Sequence, residues 1–187
     1  MPNWKDIQVL ALDIDGVMTK GELLALPDGT LLRIYNAKDT FALRMASMKG
    51  LRVVIITGAR GEAVVRRFTG LGVKEEDMYL NSRDKASDLK RFCSSNNVRP
   101  GQIAYIGDDL PDIPALKLVG KSVAPADAVP EVQEAVKYIT EENGGEGCVR
   151  WTVEKILKAK GLWSFDGHKY EEAFGVCDSS PDRASNG

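Results

Sequence analysis

Short apolar runs that alternate with segments of helical spacing restrict the fold of this chain more than any other feature of its sequence. Four runs have the length and β-branched content of buried strands, and most lead through a polar or glycine-rich loop into a helical segment. Strands that read as continuous apolar runs are typical of parallel sheets covered on both faces. The pattern therefore predicts an α/β fold whose parallel central sheet contains Val9–Leu12, Val53–Ile56, Ile103–Ile106 and Ser122–Ala124.

Apolar residues with helical spacing lie between these strands, as expected for amphipathic helices that pack on a sheet. The stripes are Phe41, Met45 and Met48 before Gly50, Val64, Phe68 and Leu71 before Gly72, and Leu89, Phe92 and Cys93 after Lys85. A turn signal, Pro27-Asp28-Gly29, separates two apolar segments and predicts a projecting β-hairpin over residues 22–35.

The chain has 187 residues, enough for one domain with a full hydrophobic core, and we predict a single domain over residues 1–160. Its last helix is expected over Cys148–Leu157. Beyond this helix the apolar pattern decays, which predicts a mobile C-terminal tail over residues 161–187. The only histidine, His168, lies in that tail, and we interpret it as an exposed residue rather than a catalytic group.

The charge balance excludes whole classes of partner. Lys and Arg total 25 against 27 Asp and Glu, a net charge of -2, so no global positive field favours nucleic acid or an anionic membrane. The three cysteines are far apart and match no metal-binding spacing, which favours reduced thiols. No apolar stretch approaches the roughly 20 residues of a membrane span. We therefore expect a cytoplasmic location and a small-molecule partner.

Two carboxylates follow the first predicted strand directly, in the sequence Asp13-Ile14-Asp15-Gly16. Alternate residues of a strand point to the same side, so Asp13 and Asp15 can converge at the carboxyl edge of the sheet, where open α/β folds bind their ligands. Acidic pairs of this kind are also common in surface turns. Their position at a strand end favours a functional site.

A second acidic cluster, Gly107-Asp108-Asp109-Leu110-Pro111-Asp112, follows the strand Ile103–Ile106. Three carboxylates this close raise one another's pKa unless a cation or hydrogen-bond donors offset their charge. Mg²⁺ prefers oxygen ligands, keeps several waters and binds few protein carboxylates beside a substrate phosphate. The cluster therefore favours a magnesium site.

Candidate donors for a phosphoryl group lie between the two clusters. Thr57 and Gly58 end the strand Val53–Ile56, and Lys85 opens a helix. A hydroxyl, backbone N–H groups and an ammonium can together bind the oxygens of a transferring phosphoryl group. Each feature is common alone. Here the two acidic clusters, the Thr57-Gly58 pair and Lys85 each lie at a strand end or a helix start, which favours one shared site.

In this order the motifs DIDGVMT, IITG, DK and IGDDLPD resemble those of the haloacid dehalogenase-like superfamily of phosphohydrolases. Residues 9–157 are most similar to the small 3-deoxy-D-manno-octulosonate 8-phosphate (KDO 8-phosphate) phosphatases and to relatives that act on nine-carbon keto-sugar acid 9-phosphates. The segments DGVMTKG, VGKSVAPADAVPEV and GGEGCVRW carry this closer resemblance. It implies a Rossmann-like three-layer αβα sandwich and a role in lipopolysaccharide biosynthesis.

The resemblance also implies roles for individual residues. Asp13 would attack phosphorus to form an aspartyl-phosphate, and Asp15 would act as general acid and then as general base. Mg²⁺ would be held by a carboxylate oxygen of Asp13, the backbone carbonyl of Asp15, and Asp108. The phosphate-binding and substrate-binding residues would be Thr57, Gly58, Lys85 and Arg60, with Asp109 and Asp112 as auxiliary residues that orient the metal ligands.

Several positions leave the substrate open. Relatives often carry a glycine a few residues before the motif-three lysine, where this chain has residues 81–84, Asn-Ser-Arg-Asp, and they vary after Thr-Gly, where it has Ala59 and Arg60. Arg150 follows the glycine-rich turn of residues 144–147 and either pairs with a substrate carboxylate or lies exposed on a helix-entry loop. Arg33 and Arg60 carry the same alternatives.

The spacing of the motifs leaves no room for a cap domain between Asp15 and Thr57 or between Thr57 and Lys85. A site without a cap is open to water unless something else covers it. Members of the similar family form tetramers in which the hairpin packs against its counterparts. The hairpin of this chain carries Leu23, Leu24, Leu26, Leu31, Leu32 and Ile34, so we predict an oligomerisation surface and a homotetramer.

Three other functions are alternatives to a KDO 8-phosphate phosphatase. A phosphatase for a nine-carbon sialic-acid-type 9-phosphate would use the same motifs. A non-catalytic oligomerisation module would be expected to have lost a nucleophile, acid or metal carboxylate, and this chain retains them. A phosphotransferase or mutase would need a cap to exclude water from the phosphoenzyme.

Overall fold

The four predicted apolar runs form the centre of a six-stranded parallel sheet in the computed structural model, which describes residues 3–175. The strands are β1 (Val9–Leu12), β2 (Leu24–Ala25), β3 (Leu31–Leu32), β4 (Arg52–Ile56), β5 (Met78–Tyr79), β6 (Ile103–Ile106), β7 (Lys121–Ala124) and β8 (Tyr138–Ile139). The helices are α1 (Ala37–Met48), α2 (Glu62–Thr69), α3 (Lys85–Asn96), α4 (Ile113–Leu116), α5 (Pro130–Ala135), α6 (Cys148–Ala159) and α7 (Gly167–Phe174). The order in the sheet is β5-β4-β1-β6-β7-β8.

Alternate residues of the central strands pack against helices on opposite faces of the sheet. Leu10 and Leu12 of β1 belong to a buried cluster with α1, α2 and α6. Val9 and Ala11 belong to a second cluster with α3, α4 and α5. The predicted three-layer αβα sandwich is confirmed. Between β1 and α3 the structure has only the hairpin, α1, β4, α2, β5 and their loops, so the described residues contain no cap domain there.

The predicted hairpin is present, with strands of only two residues each. β2 and β3 pair in antiparallel register, with Leu24 opposite Leu32. Of the six apolar side chains named above, five are exposed and Leu26 is half-buried. The hairpin therefore presents an apolar surface, which we call the hairpin surface: Leu23, Leu24, Leu31, Leu32 and Ile34.

The first part of the tail predicted to be mobile over residues 161–187 contains a helix, α7. Phe165 and Tyr170 pack against Phe41 of α1, with ring centroids 5.8 and 5.4 Å away, and Arg44 of α1 donates to the Tyr170 hydroxyl. Scattered aromatics were thus sufficient to dock a short helix. His168 is exposed, as predicted. Residues 176–187, including Cys177, lie outside the described residues, and the domain boundary stays a prediction.

A buried carboxylate links α1 to the start of α6. Asp39 is inaccessible to solvent and accepts hydrogen bonds from the backbone N–H groups of Gly147 and Arg150, at 3.1 and 2.8 Å. Burial raises the pKa of the Asp39 carboxyl. The turn before α6 in turn contacts the loop after β1, since the Gly145 N–H donates to the Val17 carbonyl at 2.9 Å. These contacts fix the loop that carries the first acidic cluster.

Within the described part of the chain, no helix is long and apolar enough to cross a membrane.

Candidate active site

The sheet order brings the predicted motifs together at one edge. β1 pairs with β4 on one side and β6 on the other, so residues after these three strands are neighbours. Asp13 directly follows the central strand, and its N–H still donates to the Ile106 carbonyl of β6 at 3.1 Å. Its side chain is 11% exposed, and its Oδ1 accepts the Ile14 N–H at 2.6 Å. Asp13 is therefore held at the centre of the edge.

Lys85 joins the two acidic clusters. It is the first residue of α3, whose N-terminus is capped by Asp84 through the Ser87 N–H at 2.9 Å. Its Nζ lies 2.6 Å from Asp13 Oδ2 and 2.7 Å from Asp112 Oδ1. Burial alone lowers the pKa of Lys85, but the two carboxylates raise it above its ordinary value. The site therefore contains a buried, charged ammonium beside Asp13.

Asp112 is completely buried, and donors engage both of its oxygens. Oδ1 accepts from Lys85 and from the Tyr105 hydroxyl at 2.8 Å. Oδ2 accepts the N–H groups of Asp108 and Asp109 at 3.2 and 3.4 Å. Asp112 thus orients the loop after β6 and the ammonium of Lys85.

Three carboxylates could hold a cation. Oxygens of Asp13, Asp108 and Asp112 lie within 4.8 Å of one another. Asp108 Oδ1 is buried and has no hydrogen-bond partner, a state that costs free energy unless a cation or donor compensates it. Burial, with Asp112 and Asp13 nearby, raises the pKa of Asp108 to about 8. An all-oxygen cluster with an unpartnered carboxylate fits a hard divalent cation.

Burial raises the pKa of Asp13 as well, although Lys85 acts in the opposite direction. Both carboxyls therefore depend on nearby positive charge to remain ionised in the folded protein. Lys85 supplies part of it for Asp13. Lys85 also lowers the pKa of Asp108, but no described residue forms an ion pair with that carboxylate, and its Oδ1 accepts no hydrogen bond.

Asp15 faces the same cavity but forms an ion pair with Arg33 of the hairpin. Its two oxygens accept from Nε and a terminal nitrogen of Arg33 at 2.7 and 2.9 Å. Asp15 and Asp13 both line a cavity of about 360 Å³ with Thr57, Gly58, Lys85 and Asp108. All predicted catalytic and phosphate-binding residues except Arg60 therefore line one cavity.

The loop after β4 is held in place by hydrogen bonds to Thr57. Thr57 is buried, and its Oγ1 accepts the Ala59 N–H at 3.1 Å, while its carbonyl accepts the Ser82 N–H at 2.8 Å. Asn81 adopts a positive φ of 52°, a conformation that asparagine tolerates better than most residues. Asn81 thus supplies the conformation for which a glycine would otherwise be suited.

The remaining predicted residues lie apart from this cavity or at its rim. Arg60 is exposed and lines an adjoining cavity of about 640 Å³ with Asp15 and Arg33. Asp109 is exposed at the rim, and its Oδ1 accepts the Leu110 N–H at 2.7 Å, which caps the short helical turn leading to Asp112. Its predicted orienting role is therefore indirect.

Arg150 does not reach the site in this structure. It pairs with Glu154 at 2.7 Å and lies over the rings of Phe41 and Trp163. The glycine-rich turn before Arg150 instead packs closely on the loop after β1, because a Cβ on Gly144 would lie 1.9 Å from the Gly16 carbonyl oxygen. Arg150 therefore lies half-buried in the first turn of α6, neither at the site nor exposed on the loop before the helix.

Sequence reasoning missed the function of Tyr105 and left that of Arg33 open. Tyr105 is the third residue of a fully apolar run, so its position gave no sign of a polar contact with Asp112. Arg33 lies 18 positions from Asp15, and their contact depends on how the hairpin folds back.

A buried aspartate between an ammonium and an unpartnered carboxylate, at the centre of a parallel sheet, is the arrangement of a haloacid dehalogenase-like hydrolase. Residues 74–151 match the family model for haloacid dehalogenase-like hydrolases. A 3-deoxy-D-manno-octulosonate 8-phosphate phosphatase of Yersinia pestis is 36% identical over 155 residues, covering 83% of this chain and 82% of the relative.

Solved structures agree with this assignment. The Moraxella catarrhalis 3-deoxy-D-manno-octulosonate 8-phosphate phosphatase, in complex with magnesium, phosphate and KDO, is 30% identical with a TM-score of 0.80 over 84% of this chain and 90% of that one. A cobalt-bound Haemophilus influenzae counterpart is 30% identical with a TM-score of 0.80, covering 84% and 91%. The chain belongs to the KDO 8-phosphate phosphatase family of haloacid dehalogenase-like hydrolases.

Proposed function

We propose that this chain hydrolyses KDO 8-phosphate through an aspartyl-phosphate on Asp13. The observation that carries the proposal is the setting of Asp13, which is fixed after the central strand, paired with Lys85 and adjacent to the unpartnered Asp108. The names of the relatives support the substrate, and the intact set of motif residues disfavours a non-catalytic module.

In the first half of the reaction, an oxygen of Asp13 forms a bond to phosphorus while the bond from phosphorus to the sugar oxygen breaks. Asp15 donates a proton to that oxygen as it leaves. Lys85, the Thr57 hydroxyl and the backbone N–H of Gly58 bind the phosphoryl oxygens. In the second half, Asp15 takes a proton from water, which displaces Asp13 and releases inorganic phosphate.

The cation that we propose is Mg²⁺, held by Asp13, the backbone carbonyl of Asp15, and Asp108. When bound it supplies positive charge that offsets the negative charge of the phosphoryl group and of the carboxylates. The orphaned Asp108 Oδ1 supports this ligand set, and the magnesium in the Moraxella structure supports the choice of cation. Asp112 holds the loop of Asp108 through backbone N–H groups, which supports its auxiliary role.

Arg60 is proposed as a substrate-binding residue because it lines the larger cavity next to Asp15. The sugar acid must extend away from phosphorus on the Asp15 side, where its leaving oxygen receives the proton. The carboxylate of the sugar acid gives a guanidinium a matching partner. The cytoplasmic location stays a prediction.

The test is magnesium-dependent phosphate release from KDO 8-phosphate, a nine-carbon keto-acid 9-phosphate and glucose 6-phosphate, with Asp13→Asn as the matched control. Strong preference for KDO 8-phosphate, lost in the variant, is expected. Preference for the nine-carbon substrate would reassign the substrate but keep the mechanism. Release from none of the three would refute the proposal.

A further inference from the structure

The hairpin supplies a side chain that fixes the orientation of Asp15. The guanidinium of Arg33 meets the carboxylate in a two-pronged contact, with distances of 2.7 and 2.9 Å. The side chain of Arg33 is only 7% exposed and that of Asp15 is 29% exposed. Paired N–H donors in one plane hold a carboxylate in a defined orientation, which a single ammonium cannot do.

The backbone that follows Arg33 is anchored to the body of the protein. The Tyr35 ring packs edge-on against Phe68 of α2, with centroids 5.9 Å apart. The Asn36 side chain caps α1 through the Lys38 N–H at 2.8 Å and donates to the Gly145 carbonyl at 2.9 Å. Arg33 therefore reaches Asp15 from a fixed base, although the tip of its hairpin is exposed.

The contact leaves Asp15 able to accept a proton. Each carboxylate oxygen can accept about two hydrogen bonds, and Arg33 occupies one site on each. An ionised, oriented carboxylate is the form that the hydrolytic half of the reaction requires, whereas transfer of a proton to the sugar oxygen requires the acid form.

We propose that Arg33 is a positioning residue that holds Asp15 for hydrolysis of the aspartyl-phosphate. The inference rests on the proposed function. In this step, water forms a bond to phosphorus and the bond from phosphorus to Asp13 breaks. The proton of water goes to Asp15, and inorganic phosphate leaves. Arg33 contributes to this step through the carboxylate that it orients and not through a bond to the reacting atoms.

The substrate p-nitrophenyl phosphate separates the two halves of the reaction. Nitrophenolate leaves without a proton, so kcat/KM, which reports formation of the phosphoenzyme, depends little on Asp15. Hydrolysis of the phosphoenzyme still requires it. In Arg33→Met we expect kcat to fall about 10- to 100-fold, the usual effect of losing a residue that orients a catalytic group. We expect kcat/KM to stay within about 3-fold and a burst of nitrophenolate to appear.

Two further variants connect the effect to Asp15. Arg33→Lys keeps the charge but loses the fork, so it should recover kcat only in part. In an Asp15→Asn background, Arg33→Met should change the rate of phosphoenzyme hydrolysis by less than about 2-fold, because a residue that acts only through Asp15 has nothing left to position. Arg91→Met, which removes an exposed arginine paired with Asp88 on α3, is the matched control and should retain wild-type kinetics.

An equal fall of kcat/KM and kcat in Arg33→Met without a burst, or an additive loss in the Asp15→Asn background, would overturn the inference. If the wild-type protein, unlike Asp13→Asn, releases nitrophenolate, the proposed phosphatase chemistry stands whatever Arg33 does. If wild type and Asp13→Asn release it equally, the proposed function itself fails.

Discussion

Both carboxylate oxygens of Asp112 accept hydrogen bonds from protein donors. Asp108 differs, because its buried Oδ1 accepts no hydrogen bond. The two residues are four positions apart in one acidic motif. One acts as a scaffold for Lys85 and the loop, and the other is suited to bind a cation. Burial and hydrogen bonding, rather than residue type, separate their functions.

Removal of the Tyr105 hydroxyl tests this scaffold. Tyr105→Phe deletes one donor to a fully buried carboxylate and should lower the free energy of unfolding by about 1–3 kcal/mol. Urea denaturation of the two proteins measures the difference. Phe92→Leu, an apolar change in the same buried cluster as Tyr105, is a control for core volume that should leave kcat unchanged, whereas Tyr105→Phe should lower kcat. Equal kcat for Tyr105→Phe and wild type would show that Lys85 and Asp112 need no such support.

The raised pKa of Asp108 makes cation binding depend on pH. Without a cation this carboxyl stays protonated in the folded protein up to about pH 8, whereas in the unfolded chain it ionises near its ordinary pKa of 3.8, so stability falls as the pH rises between these two values. A bound cation needs the carboxylate, and binding therefore releases a proton. The increase in melting temperature caused by a fixed Mg²⁺ concentration should be larger at pH 9 than at pH 6.5. Asp108→Asn should abolish the difference, and an equal increase at both pH values would contradict the account.

At this scale the sequence allowed most of the site to be predicted, because the motifs follow strands whose order in a parallel sheet is restricted. Asp13, Thr57, Lys85 and Asp108 meet as expected. Arg33 could not be predicted as a partner of Asp15, since nothing in the local pattern states where a hairpin folds back. Arg150 differs from Arg33, because its contact with Glu154 follows from the i,i+4 spacing of a helix and is readable from the sequence.

Among the structural elements, the loop after β1 is fitted most closely to its surroundings. Gly16 has a φ of 83°, and a Cβ there would lie 1.9 Å from Asp108 Oδ2. Gly29 in the hairpin turn has nearly the same φ, 84°, but no atom within 4 Å of such a Cβ. The pair separates backbone strain from a steric effect on the cation site.

We expect Gly16→Ala to displace Asp108 and to weaken Mg²⁺ binding at least about 10-fold, as expected when the ligand geometry of a cation site is disturbed. Gly29→Ala carries the same backbone strain, so it should lose a similar part of its stability to that strain but keep its affinity. Isothermal titration with Mg²⁺ measures both affinities. Equal affinities in the two variants would mean that Gly16 matters only for its conformation.

The central strands and the helices that cover them could be predicted from the sequence, whereas the short elements α7 and β8 could not. Buried strands and amphipathic helices follow from hydrophobic periodicity, whereas α7 follows from aromatic contacts with α1 that have no regular spacing. β8 has only two residues, and its place beside β7 depends on tertiary pairing rather than on a local pattern.

At the scale of the whole molecule, the hairpin surface stands out because its apolar side chains are exposed to solvent in a single chain. We propose that it packs against further copies in a homotetramer, because clustered exposed leucines favour burial. Wild-type protein should sediment as an oligomer at micromolar concentration, and the double variant Leu24→Glu, Leu32→Glu should sediment as a monomer. Ile139→Glu, which alters an exposed apolar residue on β8, should leave the oligomer intact. A monomeric wild type would refute the proposal.

The central claim is that Asp13 carries the phosphoryl group, and chemical trapping tests it most directly. Protein mixed with Mg²⁺ and KDO 8-phosphate would be quenched in acid within the first turnover and treated with borohydride, which reduces an aspartyl-phosphate to homoserine. The account predicts homoserine at position 13, identified by peptide mass spectrometry, and none in an Asp13→Asn control. Release of phosphate with an unmodified Asp13, or homoserine at another aspartate, would contradict it.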